Sequence, residues 1–148
     1  MTKFLLIPVA TAFLFLTAMT TGCKRNNNPS CDTTPAVSND TSSIAGTWEM
    51  IYRHNGLSGG QSVPACNGNR LVFKSDSTFK QYINWVLVKE GDYVLVPNTP
   101  FNIFPTGTMI LFDRSAPQIK QRLTNTGKTM SIDVDAADGG GTTYVRRN

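Results

Sequence analysis

From Ser43 onward, apolar side chains recur at every second position, which is the period of a β-strand with one buried face. Ile44, Gly46, Trp48, Met50 and Tyr52 fall on one side of the first run, with Thr47, Glu49 and Arg53 among those on the other. Short alternating runs follow at Arg70–Lys74, Thr78–Val88, Asp92–Val96, Thr108–Asp113, Gln118–Thr124, Thr129–Asp135 and Thr142–Arg147, giving eight predicted strands. Turn residues separate several of them: Lys74-Ser75-Asp76-Ser77, Lys89-Glu90-Gly91, Asn125-Thr126-Gly127-Lys128 and Ala137-Asp138-Gly139-Gly140. No run of ten or more residues carries a helical stripe. Evenly spaced short strands joined by tight turns predict an all-β fold, a small antiparallel up-and-down β-barrel of eight strands, because closure removes the exposed edges. The longer connections, Asn55 to Asn69 and Pro97 to Gly107, are the places for a lid or a single helical turn.

The pattern before Ser43 is different. Met1-Thr2-Lys3 gives a short positive start, and Phe4 to Met19 is almost wholly apolar, broken by Pro8, Thr11 and Thr17. That run is shorter than the roughly 20 residues a membrane-spanning helix needs, so it reads as a signal peptide core. Thr20-Thr21-Gly22-Cys23 resembles the lipobox of bacterial lipoproteins, with Thr20 where the pattern usually has Leu. The resemblance implies cleavage after residue 22 and a lipid on Cys23; the alternative is an ordinary secretory signal with an incidental cysteine. Two or three acyl chains on one residue hold a protein stably at a bilayer, so no further anchor is needed. Lys24 after the cysteine, where the enteric sorting rule places Asp for inner-membrane retention, implies the outer membrane with the domain facing the periplasm. Residues 24–43 are rich in Asn, Ser, Thr, Asp and Pro and cannot bury enough surface to fold alone. The expected division is therefore a signal peptide over 1–22, a lipidated tether over 23–43 and one barrel domain over 44–148.

Composition excludes more than it suggests. The net charge is +4, from 14 Lys and Arg against 10 Asp and Glu, and the cations are dispersed along the chain. Nucleic acid leaves clustered basic footprints, so it is not an expected partner. With Cys23 lipidated, Cys31 and Cys66 are the pair left for a disulfide in an oxidising envelope, closing a loop of about 35 residues. The rival reading of Cys66 is a reactive nucleophile near His54, but its Gly-, Pro- and Asn-rich loop offers nothing to lower a thiol pKa.

Gly46-Thr47-Trp48 in the first strand, Gly91-Asp92-Tyr93 in a middle strand and Tyr144-Val145-Arg146 in the last together resemble the lipocalin-like domains of bacterial lipoproteins. The likeness spans nearly the whole domain, though each motif is short. It implies a lipocalin/calycin-like barrel in which Gly46, Trp48 and Arg146 form a structural plug, with the arginine crossing the tryptophan at the closed end.

Bulky residues are expected to face inward: Trp48, Met50, Tyr52, Leu71, Phe73, Phe79, Ile83, Trp85, Tyr93, Leu95, Met109, Leu111, Ile119, Leu123, Met130, Ile132, Val134 and Tyr144. An eight-stranded barrel either fills with such residues or encloses one small molecule. Gln81 and Gln121 share that parity and would need polar partners if buried. The candidate ligand-binding residues are thus Tyr52, Gln81, Trp85, Phe101 and Gln121. Asp133, Asp135 and Asp138 do not match a calcium-loop spacing and read as outward carboxylates beside an Asp-Gly turn, so no metal is assigned. His54 is the one histidine and no serine lies in a nucleophile elbow, so no catalytic residue and no cofactor are assigned either. Two functions stay open. One is a membrane-anchored lipoprotein binding a small hydrophobic ligand in the envelope; the other is a protein-interaction module, an inhibitor or assembly subunit, with a filled barrel and exposed Phe101, Ile103 and Phe104.

Overall fold

A computed structural model describes Ala36, residues 40–114 and residues 119–148. Nine strands make one antiparallel sheet: β1 (Gly46–Asn55), β2 (Gly60–Ser62), β3 (Arg70–Phe73), β4 (Thr78–Ile83), β5 (Val86–Thr99), β6 (Gly107–Phe112), β7 (Gln121–Asn125), β8 (Thr129–Val134) and β9 (Gly140–Arg147). β1 pairs with both β2 and β3, each strand from β3 to β9 pairs with the next, and β9 returns to pair along most of β1. Eight strands therefore close a barrel, while the three-residue β2 lies beside the far half of β1, beyond where β3 stops. The only helical element among the described residues is a 3-10 turn, Gly56–Ser58.

The predicted strand count and up-and-down order hold, but one turn is elsewhere. Lys89-Glu90-Gly91 lies inside β5, and the β4–β5 chain reversal occurs at Asn84-Trp85, both at positive φ (49° and 70°). A two-residue hairpin loop needs left-handed backbone at both positions, which Asn tolerates and Trp seldom adopts. Trp85 is held there from outside the loop. The Arg70 guanidinium lies 4.2 Å from its ring centroid, its amide donates to the Gly68 carbonyl, and a Cβ on Gly68 would fall 2.5 Å from the ring.

Two further expectations change because the sheet does not alternate without interruption. Between Met50 and Tyr52 the β1–β9 register shifts, leaving Ile51 as an extra residue on β1, a β-bulge that reverses which side chains face inward beyond it. In β6 the inward residues are Ile110 and Phe112, not Met109 and Leu111, because Ile110 pairs with Leu95 and Phe112 with Tyr93, and directly opposed residues share a face. Ile83 and Ile119 are about half exposed, and Trp85 sits in the turn; none of the three joins the core.

The core gathers at the end where β1 begins. Trp48, Phe73, Phe79, Ile110 and Met130 are fully buried there, joined by Ile44, Leu71, Tyr93, Leu123 and Tyr144. The aromatic rings meet edge to face, Phe73 with Tyr93 at 4.9 Å and Phe79 with Phe112 at 4.7 Å, the arrangement that the ring quadrupoles favour.

This end is sealed by Arg146. Its guanidinium carbon lies 4.5 Å from the Trp48 ring, and its three nitrogens donate to the carbonyls of Gly127 (3.0 Å), Ala45 (2.8 Å) and Ser43 (2.9 Å). The Trp48 indole N–H donates to the Ile44 carbonyl at 2.7 Å. Gly46 has φ +142°, and a Cβ there would come within 3.1 Å of the guanidinium, so the strand opens with the one residue that leaves room for the arginine. Residues 41 and 43, expected in the tether, are instead tied to this end, since the Asn125 side-chain amide donates to the carbonyls of Thr41 and Ser43. Burial pulls the Arg146 pKa below its ordinary value, with Asp40 opposing, but a guanidinium stays charged.

Removing Arg146 deprives three carbonyls of a donor and the indole of its cation. R146A is expected to lower unfolding stability by about 3 kcal/mol or more. R146K should recover only part of the loss, because an ammonium cannot span the three acceptors. Urea unfolding followed by Trp48 fluorescence tests this, and an unchanged midpoint for R146A would contradict the seal.

Candidate functional site

The opposite end of the barrel is not filled. A cavity of about 560 Å³ opens there, and every one of the eight barrel strands contributes to its wall. Its apolar floor is Met50, Leu71, Phe79, Phe112, Ile132, Val134 and Tyr144. Polar groups interrupt it: Arg53, His54 and Asn55 at the end of β1, Gln81, Lys89, Gln121 and Thr142.

The strands explain these placements. Leu71, Gln81 and Lys89 are in register across β3, β4 and β5 and so share the inward face. Gln121 opposes Val134, which also lines the cavity. Beyond the Ile51 bulge, Arg53 opposes Thr142, an inward residue, while Tyr52 opposes Thr143, whose hydroxyl bonds Ser131 away from the cavity lining. One inserted residue therefore exchanges a tyrosine for an arginine at the mouth.

Of the five candidate ligand-binding residues, the structure brings Gln81 and Gln121 together and leaves out the other three. Tyr52 is exposed, with its hydroxyl over Gly60 of β2. Trp85 is in the β4–β5 turn under Arg70. Phe101 packs edge to face on Phe104 at 6.4 Å in the β5–β6 loop, so these two rings are half-buried, and only Ile103 of that trio is exposed. Alternation could not reveal Arg53, which lies past the Ile51 bulge; Lys89 shares the parity of Tyr93 and Leu95 on an unbroken stretch, but Lys89-Glu90-Gly91 carries a turn signal that hides it.

Charges around the cavity are mostly matched. Lys89 Nζ is 2.7 Å from Asp113, and also lies over the Phe79 and Phe112 rings at 5.6 and 5.9 Å. His54 Nε2 is 3.4 Å from Asp133, so the histidine is half-buried against a carboxylate and is not a free strand-end residue. Arg53 donates to the neutral Gln61 side chain at 3.2 Å, and no carboxylate of the described residues pairs with it.

The three aspartates at and after the end of β8 do separate work. Asp135 is buried, not outward, because its carboxylate accepts the backbone amides of Asn102 (2.8 and 2.9 Å) and Ile103 (3.0 Å), which fixes the β5–β6 loop. Asp133 serves His54, and the Asp138 carbonyl lies against Gly56. Among the described residues no three His, Cys, Asp or Glu side chains converge as metal ligands. Cys66 sits at φ +64° in the turn before β3; Cys23 and Cys31 lie outside the described residues, so the lipid site and the Cys31–Cys66 pairing are not addressed by the fold.

No known protein family matches the chain, and no curated protein or solved structure shows significant similarity to it.

Tyr144 forms part of the cavity wall, and burial raises its phenol pKa to about 12, with a weaker opposing hydrogen bond from Thr142. The folded state then holds this proton more tightly than the unfolded chain does. Its contribution is complete below pH ~10 and is lost as pH rises through the folded value near 12, to the extent of about 3 kcal/mol. Unfolding midpoints measured from pH 8 to 12 should fall steeply above about 10 for the native protein. In Y144F the same limb should be visibly shallower; identical curves would show that Tyr144 is not the group responsible.

Proposed function

We propose that this chain is a lipid-anchored protein of the bacterial envelope, lipocalin-like in kind, whose barrel binds a small ligand with a substantial apolar part. The observation that carries the reading is the open-ended cavity. Its volume of about 560 Å³ falls within the range of small-molecule sites, roughly 300 to 1,000 Å³, and its apolar floor with a few convergent polar groups is their usual composition. The lipobox-like Thr20-Thr21-Gly22-Cys23 after an apolar run supports the anchor, with Cys23 as the lipidated residue and a Cys31–Cys66 disulfide tying the tether to the domain. The outer membrane, with the domain facing the periplasm, is the proposed location.

A different surface favours the second reading, a protein-interaction module. Ile83, Val86, Leu87 and Val88 at the β4–β5 hairpin are between 43 and 62% exposed, an apolar cluster that a partner protein would cover.

Hydrophobic-dye fluorescence separates the two. The protein is expected to bind such a dye, and I132W, which places an indole into open space, should weaken binding at least tenfold with little change in unfolding midpoint. Absence of dye binding, or indifference to I132W, would remove the ligand reading and leave the hairpin as the better candidate. The anchor has its own test in cells labelled with radioactive palmitate: label and membrane association should both vanish in C23A, and persistence of either would refute lipidation at Cys23.

A further inference from the structure

We infer that the ligand is an amphiphile with a single anionic head, a carboxylate or a phosphate, held by Arg53 at the cavity mouth while its apolar chain runs along Met50, Leu71, Phe79 and Ile132. This rests on the cavity being a ligand site, as proposed above, and adds the chemical class of what enters it.

Among the described residues no aspartate or glutamate lines the cavity, whereas Arg53, His54 and Lys89 all do. Lys89 is neutralised by Asp113 and His54 faces Asp133, so neither has a full charge left for a ligand. Among the described residues Arg53 has no carboxylate partner, and its bond to Gln61 leaves most of the guanidinium fork unspent. An exposed arginine usually points to water without consequence. Here a bulge turns it to the inward face opposite Thr142, and it also borders two adjoining clefts of about 290 and 160 Å³. A guanidinium presents paired donors that match carboxylate and phosphate geometry, and a rim position lets the head keep part of its hydration while the chain is buried. A neutral head would leave that cation unmatched, and a cationic one would be repelled.

The test uses four probes that share one chain, each below its micelle concentration and each displacing the same dye from the full purified chain: dodecanoate, dodecyl phosphate, dodecanol and dodecyltrimethylammonium. At least one anion should bind about tenfold to a hundredfold more tightly than dodecanol, and the ammonium should bind worst. The preferred anion identifies the source, a free fatty acid for the carboxylate or a phospholipid fragment for the phosphate. R53Q should bring that anion to the affinity of dodecanol without altering dodecanol itself, and R53K should restore part of the difference. Anion and alcohol binding equally to the unaltered protein overturns the head assignment and leaves the cavity reading intact, a result that needs no variant to fold. Unchanged anion affinity in R53Q overturns it too. If no probe and no dye binds, the cavity reading itself falls.

Discussion

The closure of the sheet depends on the Arg146 guanidinium lying flat over Trp48. Joining β9 back to β1 brings the start of the first strand and the end of the last to one rim, and that rim must cover a fully buried indole without leaving peptide carbonyls dry. Arg146 meets both needs, since its face covers the ring while its edge donates to three carbonyls from separate stretches, two before β1 and one before β8. Because those stretches are distant in sequence, the bonds also fix where the chain enters the barrel. Gly46 is the complement of this arrangement, as any side chain at that point would push on the guanidinium.

Much of this architecture is legible in the residues. Period-2 patterning marks eight strands, and turn residues mark Lys74 to Ser77 and Asn125 to Lys128, because a glycine or a side-chain acceptor there stabilises a tight reversal. Asp76 accepts the Thr78 amide in the first and Gly127 takes φ +83° in the second. The β4–β5 reversal escapes such reading. Asn84-Trp85 has no glycine, and it is stabilised by Arg70 and Gly68 from β3 and its approach, contacts that no local pattern encodes. Lys89-Glu90-Gly91 carries the turn signal without the turn. There the strand pairing between Thr78–Gln81 and Lys89–Asp92 outweighs local preference.

The site is less legible than the fold for a related reason. Gln81 and Gln121 lie on stretches where alternation runs without a break from the core, so their inward parity can be read directly. Arg53 lies just past a bulge, and a single extra residue reverses every facing beyond it, whereas Lys89 keeps the parity of Tyr93 and Leu95 and is hidden by the turn signal it carries. In β6 the fault is different: Thr108 to Asp113 is apolar on both parities, so only the pairing of Ile110 with Leu95 decides which set is buried.

The two ends of β1 show how one strand serves two purposes. Up to Met50 its inward residues fill space, and Trp48 is the largest of them. Were the alternation to continue, Tyr52 would point into the barrel next, and its ring would occupy volume at the mouth while Arg53 turned outward. The bulge at Ile51 cancels that outcome. Tyr52 is displaced onto β2, where Gly60 makes room for its hydroxyl, and a long flexible cation takes the inward position instead. Bulky aromatics seal one end, whereas the wall at the other combines long polar side chains with aliphatic residues, a threonine and two glycines, and space remains between them. Strand register thus shapes the cavity mouth, because the same inserted residue that turns Tyr52 away brings the Arg53 cation inward.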